Sequence, residues 1–141
     1  KPPRIVIDTN VLVAALRSNR GASYKILMLI DSGRFETCIS VPIVLEYEAV
    51  AKKQTKATGL TVSDMDDVID YICAVATPRK VFYLWRPVLR DPKDDMVLEL
   101  AVSAGCQYIV TFNKADFGEA RQFGIKIISP KEFLEVIGER T

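Results

Sequence analysis

Short runs of β-branched and apolar residues alternate along this chain with segments of helical periodicity. The strand-like runs are Arg4–Asp8, Glu36–Ser40, Lys80–Trp85, Tyr108–Phe112 and Lys126–Ile128. The connections between them are too long for hairpins, which is typical of βαβ units in a parallel sheet. Right-handed crossovers then place helices on both faces of that sheet. We therefore expect the 141 residues to form a single α/β domain, residues 1–141.

Helical periodicity accounts for most of the remaining sequence. The patterns cover Val11–Arg17, Ala22–Ser32, Ile43–Lys53, Asp64–Ala76, Asp91–Ala104, Ala115–Phe123 and Pro130–Ile137. Ser63 and Asp66 have the spacing of a capping box, so we expect the fourth of these helices to begin there. The apolar run Ile26–Ile30 in the second has two interpretations, packing in the core or contact between two copies of the chain.

The composition excludes several kinds of chemistry. The chain has no histidine, which removes Ser-His-Asp and Cys-His nucleophiles and histidine metal sites. Cys38, Cys73 and Cys106 include no CxxC pair, which argues against a zinc site or disulfide framework and predicts a reducing cytoplasm. The longest apolar runs are too short to span a bilayer, so no membrane partner is expected. Acid–base or metal chemistry must therefore come from carboxylates, lysines or hydroxyls.

Acidic residues follow several of the predicted strands, at the edge where ligands bind in parallel sheets. Asp8 ends the first strand, Asp94 lies in the first turn of a helix, and Asp116 follows Tyr108–Phe112. Glu46, early in its helix, is close enough in sequence to the second strand to join them. Converging carboxylates repel one another and need a cation, and an all-oxygen donor set favours Mg²⁺ or Mn²⁺. Such an ion activates water for hydrolysis of a phosphate ester.

Each acid also has a purely structural interpretation. Asp94 and Asp116 could stabilise the first turn of a helix through its dipole. Glu46 could lie on a solvated face. Asp8 is the hardest to explain in this way, because a carboxylate directly after Ile-Val-Ile is half-buried and needs a partner.

Four motifs, in this order, resemble those of PIN-domain ribonucleases, and most closely their VapC-like toxin branch. They are Ile7-Asp-Thr-Asn-Val-Leu12, Leu45-Glu-Tyr47, Arg90-Asp-Pro-Lys-Asp-Asp-Met-Val-Leu-Glu-Leu-Ala101 and Tyr108-Ile-Val-Thr-Phe-Asn-Lys-Ala-Asp-Phe117. The resemblance extends from Ile5 to about Ile137. It implies a PIN-like three-layer α/β/α fold with a central parallel sheet, and a Mg²⁺-dependent endoribonuclease in which Mn²⁺ substitutes for Mg²⁺.

The same resemblance implies roles for the four acids. Asp8, Asp94 and Asp116 would hold the principal ion, and Glu46 would face a second ion or the attacking water. Asp94 is preferred to Asp95 because it lies seven residues before Ala101, the spacing of the family's helix. The expected partners are an RNA substrate, an antitoxin protein in a type II toxin–antitoxin pair, and a second copy of the chain.

One position departs from the family pattern. Asn113 stands where many relatives carry a carboxylate, in Thr-Gly-Asp or Thr-Arg-Asp. Asp116, three residues later, could supply the missing charge, and Asn113 could cap the next helix. Thr9 and Thr111 are candidate hydroxyls for orienting the carboxylates.

The charge distribution suits an anionic substrate. Of the 18 acidic residues, 14 remain once the four site acids are set aside, against 19 basic residues. Surface lysines and arginines could then hold RNA phosphates around the site, the nearest in sequence being Lys52, Lys53, Lys56, Arg86, Arg90 and Lys93.

Two other functions remain open at this point. A degenerate, non-catalytic domain that binds RNA or a partner is suggested by the neutral Asn113. A Mg²⁺-dependent phosphatase would share strand-terminal aspartates, but Asp8-Thr-Asn10 lacks the second aspartate that such a phosphatase carries two residues on.

Overall fold

The computed structural model describes residues 1–81, 89 and 91–139. Within them the strands are β1 (Arg4–Ile7), β2 (Glu36–Ile39), β3 (Thr77–Pro78), β4 (Tyr108–Val110) and β5 (Lys126–Ile128). The helices are α1 (Thr9–Arg17), α2 (Ala22–Met28), α3 (Val41–Lys52), α4 (Thr55–Thr58), α5 (Val62–Val75), α6 (Pro92–Ser103) and α7 (Pro130–Val136). A 3-10 helix spans Lys114–Phe123.

The strands form one parallel sheet in the order β3-β2-β1-β4-β5, which places β1 at its centre. The register aligns Ile5 of β1 with Thr37 on one side and Tyr108 on the other. Ile5, Val6 and Ile7 are all buried, as expected for a central strand that is covered on both faces. The described part of the chain therefore confirms the predicted α/β/α architecture with a central parallel sheet.

The helices are connected to the strands so that several helices begin at one edge of the sheet. β1 leads into α1 through Asp8, β2 leads into α3 through Ser40, and β4 leads into the 3-10 helix. α1 packs against α2 and α3, while α6 packs against β1, β2 and β4. The carboxyl ends of β1, β2 and β4 and the starts of the helices that follow them therefore meet at that edge.

The start of α5 differs from the prediction. The capping box consists of Thr61 and Asp64, not of Ser63 and Asp66. The Thr61 N–H donates to Asp64 Oδ2 at 2.9 Å, and the Asp64 N–H donates to Thr61 Oγ1 at 3.1 Å. Both pairs have the hydroxyl-x-x-Asp spacing, and the helix begins at the earlier one because Val62 already has helical geometry.

The third strand is also placed differently. The structure has β3 at Thr77–Pro78, paired with β2, and the first residues of the predicted strand Lys80–Trp85 are not in a strand. The remainder of that segment, like Arg86 and Arg90, lies outside the described residues.

The apolar run that had two interpretations is mostly core. Ile26, Leu27 and Ile30 are buried, whereas Met28 is about half exposed. Within this run, Met28 and the partly buried Leu29 are the residues that leave surface for contact with a second copy. Among the described residues, no helix combines the length and hydropathy needed to cross a bilayer.

Tyr47 of α3 ties that helix to the central strand. Its side chain is buried and its hydroxyl donates to the carbonyl oxygen of Ile7. We expect Tyr47→Phe to lower the free energy of unfolding by about 1–2 kcal/mol, because a buried carbonyl loses its partner. Urea denaturation measures this change. Tyr71→Phe, at an exposed position, is the control and should stay within about 0.5 kcal/mol, whereas equal losses in both variants would contradict this role of Tyr47.

Candidate active site

A cavity of about 700 Å³ lies at the edge where β1 and β4 end, and the predicted acids line it. Asp8, Glu46, Asp94 and Asp116 all contribute to its wall, although they come from α3, α6, the 3-10 helix and the cap of α1. The fold therefore brings together four carboxylates that are separated by up to 108 positions in the chain.

Asp8 is the most buried of the four, with 9% of its surface exposed. It caps α1: Thr9 N–H donates to its Oδ1 and the Thr111 hydroxyl donates to its Oδ2, each at 2.8 Å. Burial raises the pKa of Asp8 above its ordinary value, and repulsion from Asp116 and Glu46 raises it further, while the two hydrogen bonds oppose this shift. The folded chain thus holds this carboxyl in place at an electrostatic cost.

Thr111 joins the two halves of the cavity wall. Its hydroxyl oxygen accepts hydrogen bonds from the Asn113 N–H at 3.0 Å and from Asn10 Nδ2 at 3.4 Å. The same hydroxyl donates a hydrogen bond to Asp8. Asn10 also accepts from the Phe112 N–H at 3.4 Å. The Asp8-Thr-Asn10 and Thr111-Phe-Asn113 motifs are therefore connected by hydrogen bonds. We expect Thr9, which also lines the cavity, to contribute through its backbone.

The two neighbouring aspartates at the start of α6 have different environments. Asp95 is 6% exposed, and its Oδ1 accepts from the Leu89 N–H at 2.7 Å, so this carboxylate holds Leu89 beside the start of the helix. Asp94 lines the cavity, and Asp91 is the N-cap, accepting from the Lys93 N–H. The helix therefore presents Asp94, not Asp95, to the other acids.

Asp94 experiences the strongest destabilisation of its charged form in the cavity. Partial burial raises its pKa to about 6, and repulsion from Asp116 and Asp8, then from Asp91 and Asp95, contributes to the rise. A carboxyl group with a pKa in this range lacks sufficient compensating positive charge nearby.

Glu46 and its neighbour Glu48 lie on different faces of α3. The Glu46 side chain is 12% exposed and faces the cavity, where the Lys93 Nζ lies 3.8 Å from its Oε1. Glu48 instead pairs with Lys52 at 3.3 Å, and Lys52 also pairs with Asp66 at 2.9 Å. Lys52 therefore forms its ion pairs outside the cavity. Among the basic residues that were predicted to hold RNA phosphates, Lys93 lines the cavity.

The 3-10 helix brings Asp116 into the cavity wall beside Asn113. Asn113 does not cap that helix with its side chain, contrary to one of its predicted roles. Its backbone N–H bonds to Thr111 instead, and Asp116 lies one turn further on, where the predicted replacement carboxylate was expected.

The donor chemistry of the cavity fits a hard divalent cation, but the side chains do not form a closed coordination shell. All four candidate donors are carboxylates, and the pKa values of Asp8 and Asp94 are raised first by burial and then by repulsion from neighbouring acids, which a cation would relieve. Among the described residues, no group of three acidic, histidine or cysteine side chains is close enough to hold a metal ion. Binding of an ion therefore requires these side chains to turn toward it.

Several cavity residues were not identified from the sequence. They include Val13 and Arg17 of α1, Val50 of α3, and Gln54, which precedes α4. Val13 and Val50 lie four residues after Thr9 and Glu46 on their helices, so helical spacing is the signal that could have found them, whereas Gln54 lies beyond the end of α3. Phe112 also lines the cavity and had been assigned only to a strand.

The contrast between Asp94 and Asp95 predicts opposite effects on stability. Asp95→Ala should lower the free energy of unfolding by about 1–3 kcal/mol, because the buried Leu89 N–H loses its acceptor. Asp94→Ala should not lower it, because the substitution removes a repelled charge. Urea denaturation at pH 7.5 in EDTA tests both variants, and a loss in Asp94→Ala as large as that in Asp95→Ala would contradict the assignment.

The raised pKa of Asp94 also predicts a pH dependence without metal. The folded chain resists ionisation of this carboxyl above about pH 6, so Asp94→Asn should be more stable than wild type there by about 1 kcal/mol after allowance for solvent screening. The difference should vanish as the pH falls from 6 toward the ordinary aspartate pKa, because the wild-type group becomes neutral. Thermal unfolding of both proteins between pH 4 and 8 in EDTA measures it, and a pH-independent difference would disprove it.

Comparison with known proteins identifies the family to which the chain belongs. A profile of the PIN domain matches residues 4–115, which is most of the chain. A search of curated proteins finds no match. The fold is similar to a crystal structure of VapBC2 from Rickettsia felis bound to a DNA fragment from their promoter, with a TM-score of 0.61, 15% sequence identity, and coverage of 89% of this chain and 98% of that chain. The chain belongs to the PIN-domain family.

Proposed function

We propose that the chain is a divalent-metal-dependent endoribonuclease that hydrolyses RNA phosphodiester bonds. The observation that carries this proposal is the convergence of Asp8, Glu46, Asp94 and Asp116 in one cavity, whose lining includes two cationic side chains, those of Arg17 and Lys93. Membership of the PIN-domain family and the absence of histidine support carboxylate-based metal chemistry. Mg²⁺ is the proposed ion, with Mn²⁺ as a substitute.

The proposed roles follow from the position of each acid. Asp8, Asp94 and Asp116 would hold the ion, which supplies Lewis acidity toward the phosphodiester when bound. Thr111 keeps the Asp8 carboxylate oriented through the 2.8 Å hydrogen bond from its hydroxyl. Glu46 would orient the attacking water and accept its proton. In-line attack of water on phosphorus breaks the bond to the 3′ oxygen and leaves 3′-hydroxyl and 5′-phosphate ends.

We further propose that this nuclease is the toxin of a type II toxin–antitoxin pair in the cytoplasm, with an antitoxin partner and a homodimeric state. The similarity of its fold to VapBC2, together with the PIN-domain match, supports this placement. Expression in a bacterial host is the direct test. Growth should stop with wild type and continue with Asp94→Asn, and continued growth with wild type would contradict a toxin.

A non-catalytic domain is the second candidate, and one observation favours it. Within the described residues the acids do not stand close enough to hold an ion as they are. Calorimetric titration with Mn²⁺ separates the two functions, because a scaffold would bind no ion at millimolar concentration. Saturable binding that Asp94→Asn abolishes would exclude the scaffold.

The nuclease proposal predicts that Asp94→Asn lowers Mg²⁺-dependent RNA cleavage roughly 100-fold or more while the fold is retained. Asp94 is a cleaner target than Asp8, because the amide of Asp8→Asn would direct a donor at Thr111, whose oxygen already accepts two hydrogen bonds. Gel assays of a labelled RNA, with mass spectrometry of the product ends, measure the loss.

Glu48→Gln is the matched control for this experiment. Glu48 is on the same helix as Glu46 but pairs with Lys52 outside the cavity, so its substitution should leave cleavage unchanged, whereas Glu46→Gln should reduce it. Cleavage that survives EDTA, or that Asp94→Asn retains in full, would rule out the proposed mechanism.

A further inference from the structure

Phe112 is an exposed aromatic residue at the rim of the acidic cavity. The residue is 53% exposed, although it lies two positions after the buried end of β4 and next to the buried Thr111. Single exposed apolar side chains are common on protein surfaces. Phe112 differs because it lines the same cavity as Asp8, Asp94 and Asp116.

The backbone that carries the ring is anchored on both sides. Phe112 N–H donates to Asn10 Oδ1, and the flanking Thr111 and Asn113 are joined by the hydrogen bond from the Asn113 N–H to Thr111 Oγ1. Thr111 in turn donates to Asp8. The backbone of Phe112 is therefore held near the Asp8 carboxylate by the same network that orients Asp8, and it presents the ring at the cavity.

An RNA substrate presents two kinds of surface to such a cavity, charged phosphates and planar bases. A cation among the acids attracts a phosphate, and an exposed ring next to those acids offers a base a flat apolar surface. The cavity of about 700 Å³ is large enough for a nucleotide.

We propose that Phe112 is a substrate-contact residue on which the nucleobase beside the scissile phosphate stacks. This inference rests on the proposed ribonuclease function and adds a residue that positions the substrate. A protein partner could also cover the ring, but the hydrogen-bonded connection of Phe112 to Asp8 favours a ligand that reaches the carboxylates.

Binding of a fluorescein-labelled single-stranded RNA to the full chain tests the proposal without depending on cleavage. In a Glu46→Gln background with Mg²⁺ present, which should slow hydrolysis while keeping the three proposed ion ligands, Phe112→Ala should weaken binding about tenfold, within the roughly 5- to 100-fold range that stacking on an aromatic ring contributes. Phe112→Trp should bind at least as tightly as phenylalanine. Phe112→Leu keeps an apolar side chain but offers no ring and should bind like Phe112→Ala.

Phe123→Ala is the matched control, because Phe123 is also an exposed phenylalanine, at 39%, but does not line the acidic cavity. It should leave RNA binding unchanged. Unfolding temperatures of all variants should stay within a few degrees of the background protein, since more than half of Phe112 is exposed. An equal loss of binding in Phe112→Leu, Phe112→Trp and Phe123→Ala would overturn the proposal.

Substrates with one abasic nucleotide identify the stacked base. Each nucleotide of an RNA that the wild type cleaves is replaced in turn by an abasic nucleotide. At one position, cleavage by the wild type should fall about tenfold, whereas cleavage by Phe112→Ala should not change. No such position would refute stacking even if wild type cleaves well, whereas a wild type that neither binds nor cleaves RNA would refute the ribonuclease itself. Phe112→Ala that binds RNA normally but no longer binds a protein partner would assign the ring to that partner.

Discussion

The convergence of carboxylates at one edge of the sheet, where burial and mutual repulsion both disfavour their charged forms, is the constraint on which this structure depends. Parallel strands that end together force Asp8, Asp94 and Asp116 toward the same cavity, and burial of the first two raises their pKa values. The buried strands and helices beneath the cavity supply the stability that holds this arrangement. Four carboxylates converge in this cavity, and the pKa of one of them is raised to about 6. Groups perturbed in this way cluster at functional sites, which is why we assign the cavity a function.

A small set of hydrogen bonds holds the residues around these carboxylates in a defined geometry. Thr111 accepts from Asn10 and Asn113 and donates to Asp8, so two sequence motifs about a hundred positions apart become one wall. The same network explains why a neutral residue is tolerated at Asn113. Its backbone serves the network, while Asp116 supplies a carboxylate to the cavity.

Much of the fold could be predicted from periodicity, because a central parallel strand and an amphipathic helix have different spacings of apolar residues. The first residue of α5 could not be predicted in the same way. Thr61–Asp64 and Ser63–Asp66 satisfy the same capping rule, and only tertiary packing selects one of them. The choice of Asp94 over Asp95 came from the family resemblance. Helix-dipole arguments treat the two alike, and the Leu89 N–H that distinguishes them is a tertiary contact.

Phe112 shows what sequence patterns cannot provide. It belongs to a β-favouring run, so the sequence predicts a strand residue. Its exposure beside the acids depends on where β4 ends and on the hydrogen bond from its N–H to Asn10. Residues of this kind become visible only when the elements are assembled.

A crystal structure of the chain soaked in Mn²⁺ tests the central claim most directly, because anomalous scattering locates the ion itself. The account predicts a peak in the cavity with oxygens of Asp8, Asp94 and Asp116 about 2.2 Å away, after the side chains have turned toward it. A cavity that stays empty at millimolar Mn²⁺, with these carboxylates still apart, would contradict it.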